Sequence, residues 1–416
     1  MKGVVYGANP IGWVTCKWLR HLWPGCLLTR LNGLALKQLD PPELPGDQWV
    51  RCRTVLGGIC GSDLSVICQR QPPNSILRGF ATLPCVLGHE NVAVVTEIGA
   101  GVDPSWRGKR VIVDCGLSCQ VRGIDPPCRS CREGRFGACD NFAPGGWGRY
   151  QLPAGSCMGY CGPVGGSWSE QFVAHVSQLI EPPEGLSDGL GVLTDPLACS
   201  LHGVLRADLS EARRVLVYGS GMLGLGAVWA LRAIGWTGRI DVIARHRHQA
   251  EVAEAFGADG IVKLPAGAAA RFEAVAARVE GRVVKGLFGS CTLSGGYDVV
   301  FECVGSSSTM EDALKWTRAG GQTVLIGTGH GRGTDMTAIW LTEITVLGSS
   351  GRAIENFQGR QIHTCRLVHE LMQKPGPDVS VLLTHTFPLD DYKAALNAAI
   401  DKRAHRSIKV AFAFER

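Results

Sequence analysis

One stretch of the sequence, "VLVYGSGMLGLG" (215–226), constrains the fold more than any other. Four apolar or aromatic residues are followed by glycines at Gly219, Gly221 and Gly224 and then by an apolar helix start. Such glycines allow a tight turn and let the helix N-terminus approach a pyrophosphate. The stretch therefore predicts a strand, a turn and a helix that bind a dinucleotide through these three glycines.

The order of helical and strand-like segments around this motif supports the prediction. From about residue 195 onward, helical segments such as "EVAEAFGA" alternate with short buried strands such as "RIDVIA" and "QTVLIG". Strands that alternate with helices indicate βαβ units and a parallel sheet. From residue 1 to about 190, short apolar runs alternate with Gly/Pro turns, which favours an all-β, barrel-like domain. At 416 residues, two domains are expected.

Composition narrows the class of protein. Hydrophobic residues make up 45% and charged residues 19%, which suits a soluble globular enzyme. The net charge of +5 is mild and scattered, so no nucleic-acid partner is expected. No secretory signal opens the chain, which favours a cytoplasmic location and reduced cysteines. Clusters among the 17 cysteines then suggest metal sites.

A Trp-rich segment at residues 10–33 could suggest a membrane helix. Lys17, Arg20 and His21 interrupt it and Pro24 breaks it, so it falls short of the ~20 apolar residues that a span needs. No membrane partner is therefore expected. The segment is interpreted as a surface-packed helix or as a contact for substrate or another subunit.

Two separate motifs supply candidate ligands for a catalytic metal. In "GGICGSDL" (57–64), Cys60 lies between glycine turns, and in "LPCVLGHENVAVV" (83–95), His89 and Glu90 precede a strand. A thiolate and an imidazole are typical zinc ligands, and a catalytic zinc site has three protein ligands and one open position. These residues predict the start of such a site.

The motifs "GICGSDL", "GHE", "GSGMLG" and "DVVFECVG" occur in the order found in the zinc-dependent medium-chain alcohol dehydrogenases, and the chain resembles that family over nearly its whole length. The resemblance implies a GroES-like β-barrel catalytic domain (1–190 and 350–416) and a Rossmann domain with a doubly wound parallel sheet (191–349). It also implies that Cys60 and His89 bind a catalytic zinc, with Glu90 beside it or exchanging onto it.

The third ligand of the catalytic zinc is open between two residues. Alcohol-specific relatives use a cysteine before the Rossmann strand, whereas polyol, sugar and threonine dehydrogenases use a carboxylate in an "EPL" turn. "LTDPLACSLHGV" offers both Asp195 and Cys199, and Asp195 occupies the carboxylate position. Asp195 is the preferred ligand, although its side chain is one methylene shorter than that of Glu.

A second cluster of cysteines predicts a structural zinc. Cys128, Cys131 and Cys139 have the close spacing of a closed four-ligand site. The position where the family has its first cysteine holds Asp125. An insertion, "QVRGIDPP", would shift the first ligand to Cys119, and because thiolate suits zinc better than carboxylate, Cys119 is preferred over Asp125. Cys115 belongs to the same cluster of cysteines, and Cys157 and Cys161 receive no role.

The segment after the second Rossmann strand predicts the cofactor. An NAD site needs an acidic residue about 20 residues past the glycines, and that position holds Ala244. Arg245, His246 and Arg247 follow, and guanidinium groups pair well with a 2′-phosphate. NADP(H) is therefore expected to be preferred over NAD(H).

The expected activity is hydride transfer between a secondary alcohol of polyol, sugar or amino-alcohol type and NADP(H), which gives the ketone. Ser62 is placed to relay the alcohol proton; many relatives carry a histidine three residues later, where this chain has Ser65. The alternatives are a zinc-independent quinone or enoyl reductase of the same fold and a non-catalytic NADPH-binding protein. Family habit implies a homodimer or homotetramer. The 143–168 loop and the Trp-rich segment are expected to shape the substrate pocket.

Overall fold

The computed structural model describes residues 1–7, 9–72, 74–143, 148–329 and 333–415. Part of the loop expected to shape the substrate pocket, residues 144–147, lies outside these described residues. The chain divides into two compact units. Unit 1 comprises residues 1–195, 352–356 and 382–416, and unit 2 comprises residues 196–351 and 357–381.

The helices and strands have the following bounds. The α-helices are α1 (Pro10–Leu19), α2 (Gly61–Ile67), α3 (Cys119–Arg122), α4 (Arg129–Arg132), α5 (Asp188–Gly191), α6 (Thr194–Arg206), α7 (Met222–Ala233), α8 (Arg247–Ala255), α9 (Ala268–Val279), α10 (Ser307–Trp316), α11 (Thr337–Leu341), α12 (Thr364–Met372), α13 (Tyr392–Ile400) and α14 (Lys402–His405). The strands are β1 (Lys2–Tyr6), β2 (Leu34–Gln38), β3 (Trp49–Gly58), β4 (Cys85–Val86), β5 (Glu90–Ile98), β6 (Arg110–Val113), β7 (Gln171–His175), β8 (Leu179–Ile180), β9 (Arg214–Tyr218), β10 (Arg239–Ile243), β11 (Gly260–Val262), β12 (Arg282–Lys285), β13 (Cys291–Ser294), β14 (Tyr297–Glu302), β15 (Thr317–Leu325), β16 (Thr345–Gly348), β17 (Ile354–Phe357), β18 (Arg360–His363), β19 (Leu383–Pro388) and β20 (Lys409–Ala413).

Unit 1 is built on a mixed seven-stranded sheet in the order β19-β20-β3-β5-β6-β8, with β7 paired to β3. Most neighbours are antiparallel, and β19 and β20 are parallel. Its buried faces hold large aromatic side chains, among them Trp49, Trp168, Phe172 and Phe412. The last strand, β20, joins this sheet, so the C-terminal segment returns to unit 1 as the family resemblance implies.

Unit 2 contains a six-stranded sheet in the order β11-β10-β9-β14-β15-β16. Every neighbouring pair is parallel. In order of appearance this arrangement is 3-2-1-4-5-6, the strand order of a Rossmann domain. The predicted fold class, a GroES-like β domain with a Rossmann α/β domain, is confirmed.

The unit boundaries differ from the predicted domains by a few residues at 191–195 and 350–351 and by one longer segment. Residues 350–416 were expected to belong to the catalytic domain, but residues 357–381 group with unit 2. This segment contains α12, whose Cys365, Leu367, Val368 and Leu371 are buried. A helix with an apolar stripe belongs to the unit whose core covers that stripe, and sequence position alone does not reveal which unit that is.

Arg122 fixes the loop that carries the predicted structural zinc ligands. Its guanidinium is almost completely buried and donates to the carbonyl oxygens of Leu117, Leu152, Pro153 and Gly155 at 2.7–3.1 Å. Burial lowers the pKa of this guanidinium. Five N–H donors in a rigid fork are satisfied by backbone oxygens alone, which ties α3 to the loop at residues 152–155.

Candidate active site and metal centres

Cys60 lies where β3 ends and α2 begins, and two glycines before it are required by close packing. A Cβ on Gly58 would lie 2.1 Å from the Glu90 carboxylate, and a Cβ on Gly57 would lie 2.2 Å from the carbonyl oxygen of Ser167. Cys60 is the N-cap of α2, and its backbone N–H donates to Asp63 Oδ2 at 3.1 Å. The glycines therefore let β3 pass close to the Glu90 carboxylate and the Ser167 carbonyl group. Cys60 then lies at the end of the sheet, directly after β3.

His89 reaches the same end of the sheet from the neighbouring strand, one residue before β5. Gly88 precedes it with φ +91°, a conformation that favours glycine. The imidazole is buried; its Nε2 lies 3.5 Å from Ser62 Oγ, and its Nδ1 lies 3.6 Å from Asp63 Oδ1. Burial opposes a charge on His89, but Asp63 and Cys60 outweigh it and raise the pKa well above its usual value.

Asp63 is a fully buried carboxylate on which this part of the site converges. Besides the Cys60 N–H and the nearby His89 ring, it accepts a hydrogen bond from the Tyr160 hydroxyl at 3.0 Å. Burial and then Asp63 raise the pKa of Tyr160 well above its usual range, while a hydrogen bond with Ser62 opposes the rise. Tyr160 is therefore a neutral donor at ordinary pH.

Cys60 and His89 fit a catalytic zinc. His89 Nδ1 is buried without a hydrogen-bond partner of good geometry and faces Asp63. A metal-bound histidine commonly directs its second nitrogen at a carboxylate, which leaves the other nitrogen for the metal. Here that arrangement would leave Nε2, beside Ser62 and near Cys60, as the ligand atom.

Glu90 is not directed at solvent but is held by Lys409 of β20. Lys409 Nζ donates to both carboxylate oxygens, at 2.6 and 2.7 Å, and to the carbonyl oxygen of Ile59 at 3.2 Å. Both side chains are buried. Burial lowers the pKa of Lys409, but the Glu90 charge outweighs this and raises it; burial also raises the pKa of Glu90, and the Lys409 charge opposes that rise.

Asp195 opens α6 and is held by Arg352. The Arg352 guanidinium donates to Asp195 Oδ1, to Asp114 Oδ1 at 2.7 Å and to Cys115 Sγ at 3.2 Å. Asp195 and Arg352 are both buried. Cys199 lies one helical turn further along α6 and is half-buried. The preferred third ligand is therefore engaged by a cation.

Only one group of three or more candidate ligands in the described ranges has all of its ligand atoms within 4.8 Å of one another. That group consists of Cys119, Cys128, Cys131 and Cys139. Cys60, His89 and Asp195 do not form such a group. Whether Asp195 completes the catalytic site stays a prediction, as does the whole catalytic ligand set.

The four cysteines form a compact sulfur cluster. Cys119 Sγ lies 3.6 Å from Cys139 Sγ, and Cys128 Sγ lies 4.0 Å from it. The Cys128 N–H and the Asn141 amide donate to Cys119 Sγ at 3.3 and 3.1 Å. A hydrogen bond with Cys131 that favours the neutral thiol, and then burial, raise the pKa of Cys139, so four thiolates would need a cation.

The structure separates the two residues considered for the fourth position of this cluster. Asp125 is exposed and is not part of the sulfur group, whereas Cys119 is buried within it. The inserted residues form α3 and a turn, which move the chain so that a residue nine positions before Cys128 reaches the cluster. The donor set of four thiolates fits a structural zinc.

The remaining cysteines near these sites have partners in the protein. A hydrogen bond with Cys157 and then burial raise the pKa of Cys115, and the positive charge of Arg352 opposes this rise. Cys161 is buried, and its Sγ contacts the carbonyl oxygen of Pro153 at 3.9 Å. No disulfide joins any of the cysteines, all of which lie within the described ranges.

The predicted dinucleotide turn connects β9 to α7 in unit 2. Gly219 has φ +106°, and a Cβ on Gly224 would lie 1.7 Å from the Gly219 carbonyl oxygen. Gly221 is the N-cap of α7. The first glycine supplies the turn conformation and the third permits the close approach of helix and strand, which leaves the N-terminus of α7 suited to a pyrophosphate.

The end of β10 carries no acidic side chain for a ribose. Asp241 is fully buried within the strand and accepts from Tyr297 Oη at 3.0 Å and from Arg239. Ala244 follows the strand, and Arg245 is exposed. Arg247 begins α8 and donates to Glu251 at 2.8 Å, so its guanidinium has one anionic neighbour already.

Four residues near the catalytic motifs were not singled out from the sequence: Asp63, Tyr160, Lys409 and Arg352. Asp63 carries a local signal, since it follows Cys60 by three residues in the same motif. Lys409 is 319 residues from Glu90, and Arg352 is 157 residues from Asp195. Pairings over such distances leave no local pattern in one sequence.

Comparisons with known proteins agree with this geometry. Residues 46–184 match the family "Alcohol dehydrogenase GroES-like domain", and residues 223–364 match the family "Zinc-binding dehydrogenase". Sorbitol dehydrogenase of Arabidopsis thaliana is 30% identical over 92% of this chain and 93% of its own length. L-idonate 5-dehydrogenase of Vitis vinifera is 29% identical with the same coverage.

A solved structure shares the fold. The 2R,3R-butanediol dehydrogenase of Bacillus subtilis superimposes with a TM-score of 0.68 at 24% identity, over 92% of this chain and 96% of that chain.

The sulfur cluster generates a first prediction. Cys119→Ala should remove about one zinc ion per chain and lower the melting temperature, because a structural zinc contributes folding free energy. Asp125→Ala, at an exposed position of the same loop, is the matched control and should keep the zinc content and the melting temperature unchanged. Elemental analysis and thermal unfolding measure the two effects. Zinc loss from the Asp125 variant with none from the Cys119 variant would exchange the two assignments.

The third ligand generates a second prediction. Asp195→Ala should lower the occupancy of the catalytic zinc and turnover, whereas Cys199→Ala, one turn along the same helix, should change neither. Zinc content and steady-state rates are measured on both variants. If Asp195→Ala keeps its zinc and only loses thermal stability, Asp195 serves as a partner of Arg352 and not as a ligand.

Proposed function

Since this chain belongs to the zinc-dependent medium-chain alcohol dehydrogenase family, in its polyol dehydrogenase branch, we propose that it oxidises a secondary alcohol of polyol, sugar or amino-alcohol type to the ketone with NADP. Family membership makes the chain an alcohol-oxidising enzyme. The observation that carries the proposal is the convergence of Cys60 and His89 on Asp63 at one end of the unit 1 sheet.

The substrate class is supported by two observations. The relatives sorbitol dehydrogenase and L-idonate 5-dehydrogenase are named for polyhydroxylated substrates. The position of the third ligand holds a carboxylate, Asp195, at the start of α6. Alcohol, ketone and nicotinamide dinucleotide are the small-molecule partners of the proposed reaction.

The oxidation removes a hydride from carbon and a proton from the hydroxyl oxygen. Zinc bound at Cys60 and His89 would supply Lewis-acid polarisation of the substrate oxygen, and the dinucleotide would supply the hydride acceptor. Ser62 Oγ, 3.5 Å from His89 Nε2, is the hydroxyl that would relay the alcohol proton, accepting it as it passes its own proton to solvent water. The Tyr160 hydroxyl is held beside this site by its hydrogen bond to Asp63, which follows Ser62 in the chain.

Two buried ion pairs would keep these residues in position. The Lys409 pair holds Glu90 against β20, and the Arg352 contacts hold Asp195 against Asp114 and Cys115. Removing one partner of a buried pair leaves an uncompensated charge and is costly. Each pair would thus restrain a carboxylate of the proposed site.

NADP(H) preference is proposed from the end of β10. The site lacks an acidic side chain at Ala244, and Arg245 and Arg247 follow with His246 between them. Arg245 is exposed and would meet a 2′-phosphate first, while Arg247 is shared with Glu251. The centroid of the His246 ring lies 5.7 Å from that of His248, and the two rings stack at the start of α8.

The proposed enzyme acts in the cytoplasm as a homodimer or homotetramer, following family habit. A zinc-independent quinone or enoyl reductase is disfavoured because the sulfur cluster and the Cys60–His89 arrangement would then have no use. A non-catalytic NADPH-binding protein is disfavoured by the same residues.

The activity generates a third prediction. Purified protein should reduce NADP with one or more polyols in a panel of alcohols, followed by nicotinamide absorbance. Cys60→Ala should abolish turnover while NADPH binding persists, because the substitution removes a ligand and leaves unit 2 unchanged. Turnover that survives in Cys60→Ala, or in protein stripped of metal, would favour the zinc-independent reductase.

The cofactor generates a fourth prediction. Arg245→Ala and Arg247→Ala should each weaken NADPH binding by ~1–3 kcal/mol, since each removes a charge-assisted hydrogen bond. The loss at Arg247 should be the smaller because Glu251 already engages its side chain. NADH binding should hardly change, and Arg282→Ala, on exposed β12, is the charge-matched control. A catalytic efficiency with NAD equal to or above that with NADP would contradict the preference.

A further inference from the structure

The Trp-rich segment at residues 10–33 presents an apolar surface to solvent. Ile11, Val14, Trp18 and Leu22 recur at helical spacing along α1 and its continuation, and Trp23 follows; we name these five side chains the Trp-rich face. Leu22 is 89% exposed, Ile11 81% and Trp18 77%. No chemical step of the proposed reaction is assigned to these side chains.

The segment is held to unit 1 by other residues. Gln69 donates to the carbonyl oxygen of Trp13 at 2.9 Å, and Asn32 donates to the carbonyl oxygen of Ile67 at 2.8 Å. Gly12 and Cys16 form the buried side of α1. The Trp-rich face is therefore not needed to pack residues 10–33 against unit 1, and its apolar surface is available for a partner.

The two chain segments that form and adjoin the Trp-rich face are basic and contain no acidic residue of their own. Residues 1–39 and 64–89 have no Asp or Glu. Contacts show that these segments adjoin: the Arg78 guanidinium lies 5.5 Å from the centroid of a Trp13 ring, and Arg20 donates to the carbonyl oxygen of Cys68 at 3.3 Å. The Lys and Arg residues of these segments are Lys2, which pairs with Asp390, and Lys17, Arg20, Arg30, Lys37, Arg70 and Arg78.

This charge pattern argues against a second copy of the chain as the occupant. A two-fold contact places the same patch on both sides. Lys17, Arg20 and Arg30 of one copy would then meet the same cations of the other, and neither segment offers an acid to pair with them. Like-charge contacts oppose association.

An anionic lipid surface satisfies both features. Exposed Trp and Leu side chains insert at the boundary between headgroups and acyl chains, and Lys and Arg beside them meet the anionic headgroups. No helix among the described residues has the length and apolar character to span a bilayer. We propose that the Trp-rich face docks this protein on the surface of an anionic membrane, with α1 lying in the interface.

The test is sedimentation of the full-length protein with vesicles of phosphatidylcholine alone and with added phosphatidylserine. The unmodified protein should bind the phosphatidylserine vesicles, and salt should weaken binding. The double variant Trp18→Ser/Leu22→Ser should bind at least about tenfold more weakly. Lys17→Glu/Arg30→Glu should also lower binding, while zinc content and melting temperature stay unchanged in both.

The matched control is Trp340→Ser/Leu341→Ser, which removes an exposed Trp and Leu from unit 2 and should keep vesicle binding. Equal binding by Trp18→Ser/Leu22→Ser and this control would overturn the proposal. Binding that ignores both phosphatidylserine and salt would also overturn it. A protein that does not bind vesicles, and whose molar mass falls in the Trp18→Ser/Leu22→Ser variant, would show instead that the face pairs two copies.

Discussion

The register between β3 and β5 sets the positions of both candidate zinc ligands in unit 1. Gly58, at the end of β3, pairs with Glu90, at the start of β5. Cys60 lies two positions after Gly58, and His89 lies one position before Glu90. Because β3 and β5 are antiparallel, both residues reach the same end of the sheet. A slip of one residue would turn the side chains of a strand to the other face. The contact between Gly58 and the Glu90 carboxylate, which admits no Cβ, enforces this register locally.

Local motifs made much of this predictable. Gly219 and Gly224 have conformational and packing requirements that only glycine meets, so their spacing revealed the turn in unit 2. Cys128 and Cys131 belong to one short loop, and their spacing alone indicated a metal lobe. Cys119 required a physical judgement about thiolate and carboxylate, and the sulfur cluster contains the thiol.

The rest could not be read from one sequence because it depends on long-range pairing. Nothing near Glu90 reveals that Lys409 lies against it, and nothing near Asp195 reveals Arg352. The placement of residues 357–381 in unit 2 depends on which core covers the apolar stripe of α12. The sequence also did not reveal that Trp18 is exposed, because an apolar helix has the same residue pattern whether its apolar side chains contact protein or solvent.

The buried charges of unit 1 indicate why a divalent cation suits this site. Glu90 is neutralised by Lys409, and Asp195 by Arg352. Asp63, fully buried, has only the His89 ring as a cationic neighbour among the ion pairs of the described residues. Asp63 and Cys60 together raise the pKa of His89 against the cost of burial, so their field favours positive charge at the imidazole. A metal ion bound to Cys60 and His89 would be favoured by the same negative charges. It would compensate the Cys60 thiolate by direct ligation and the Asp63 carboxylate through the imidazole that lies between them.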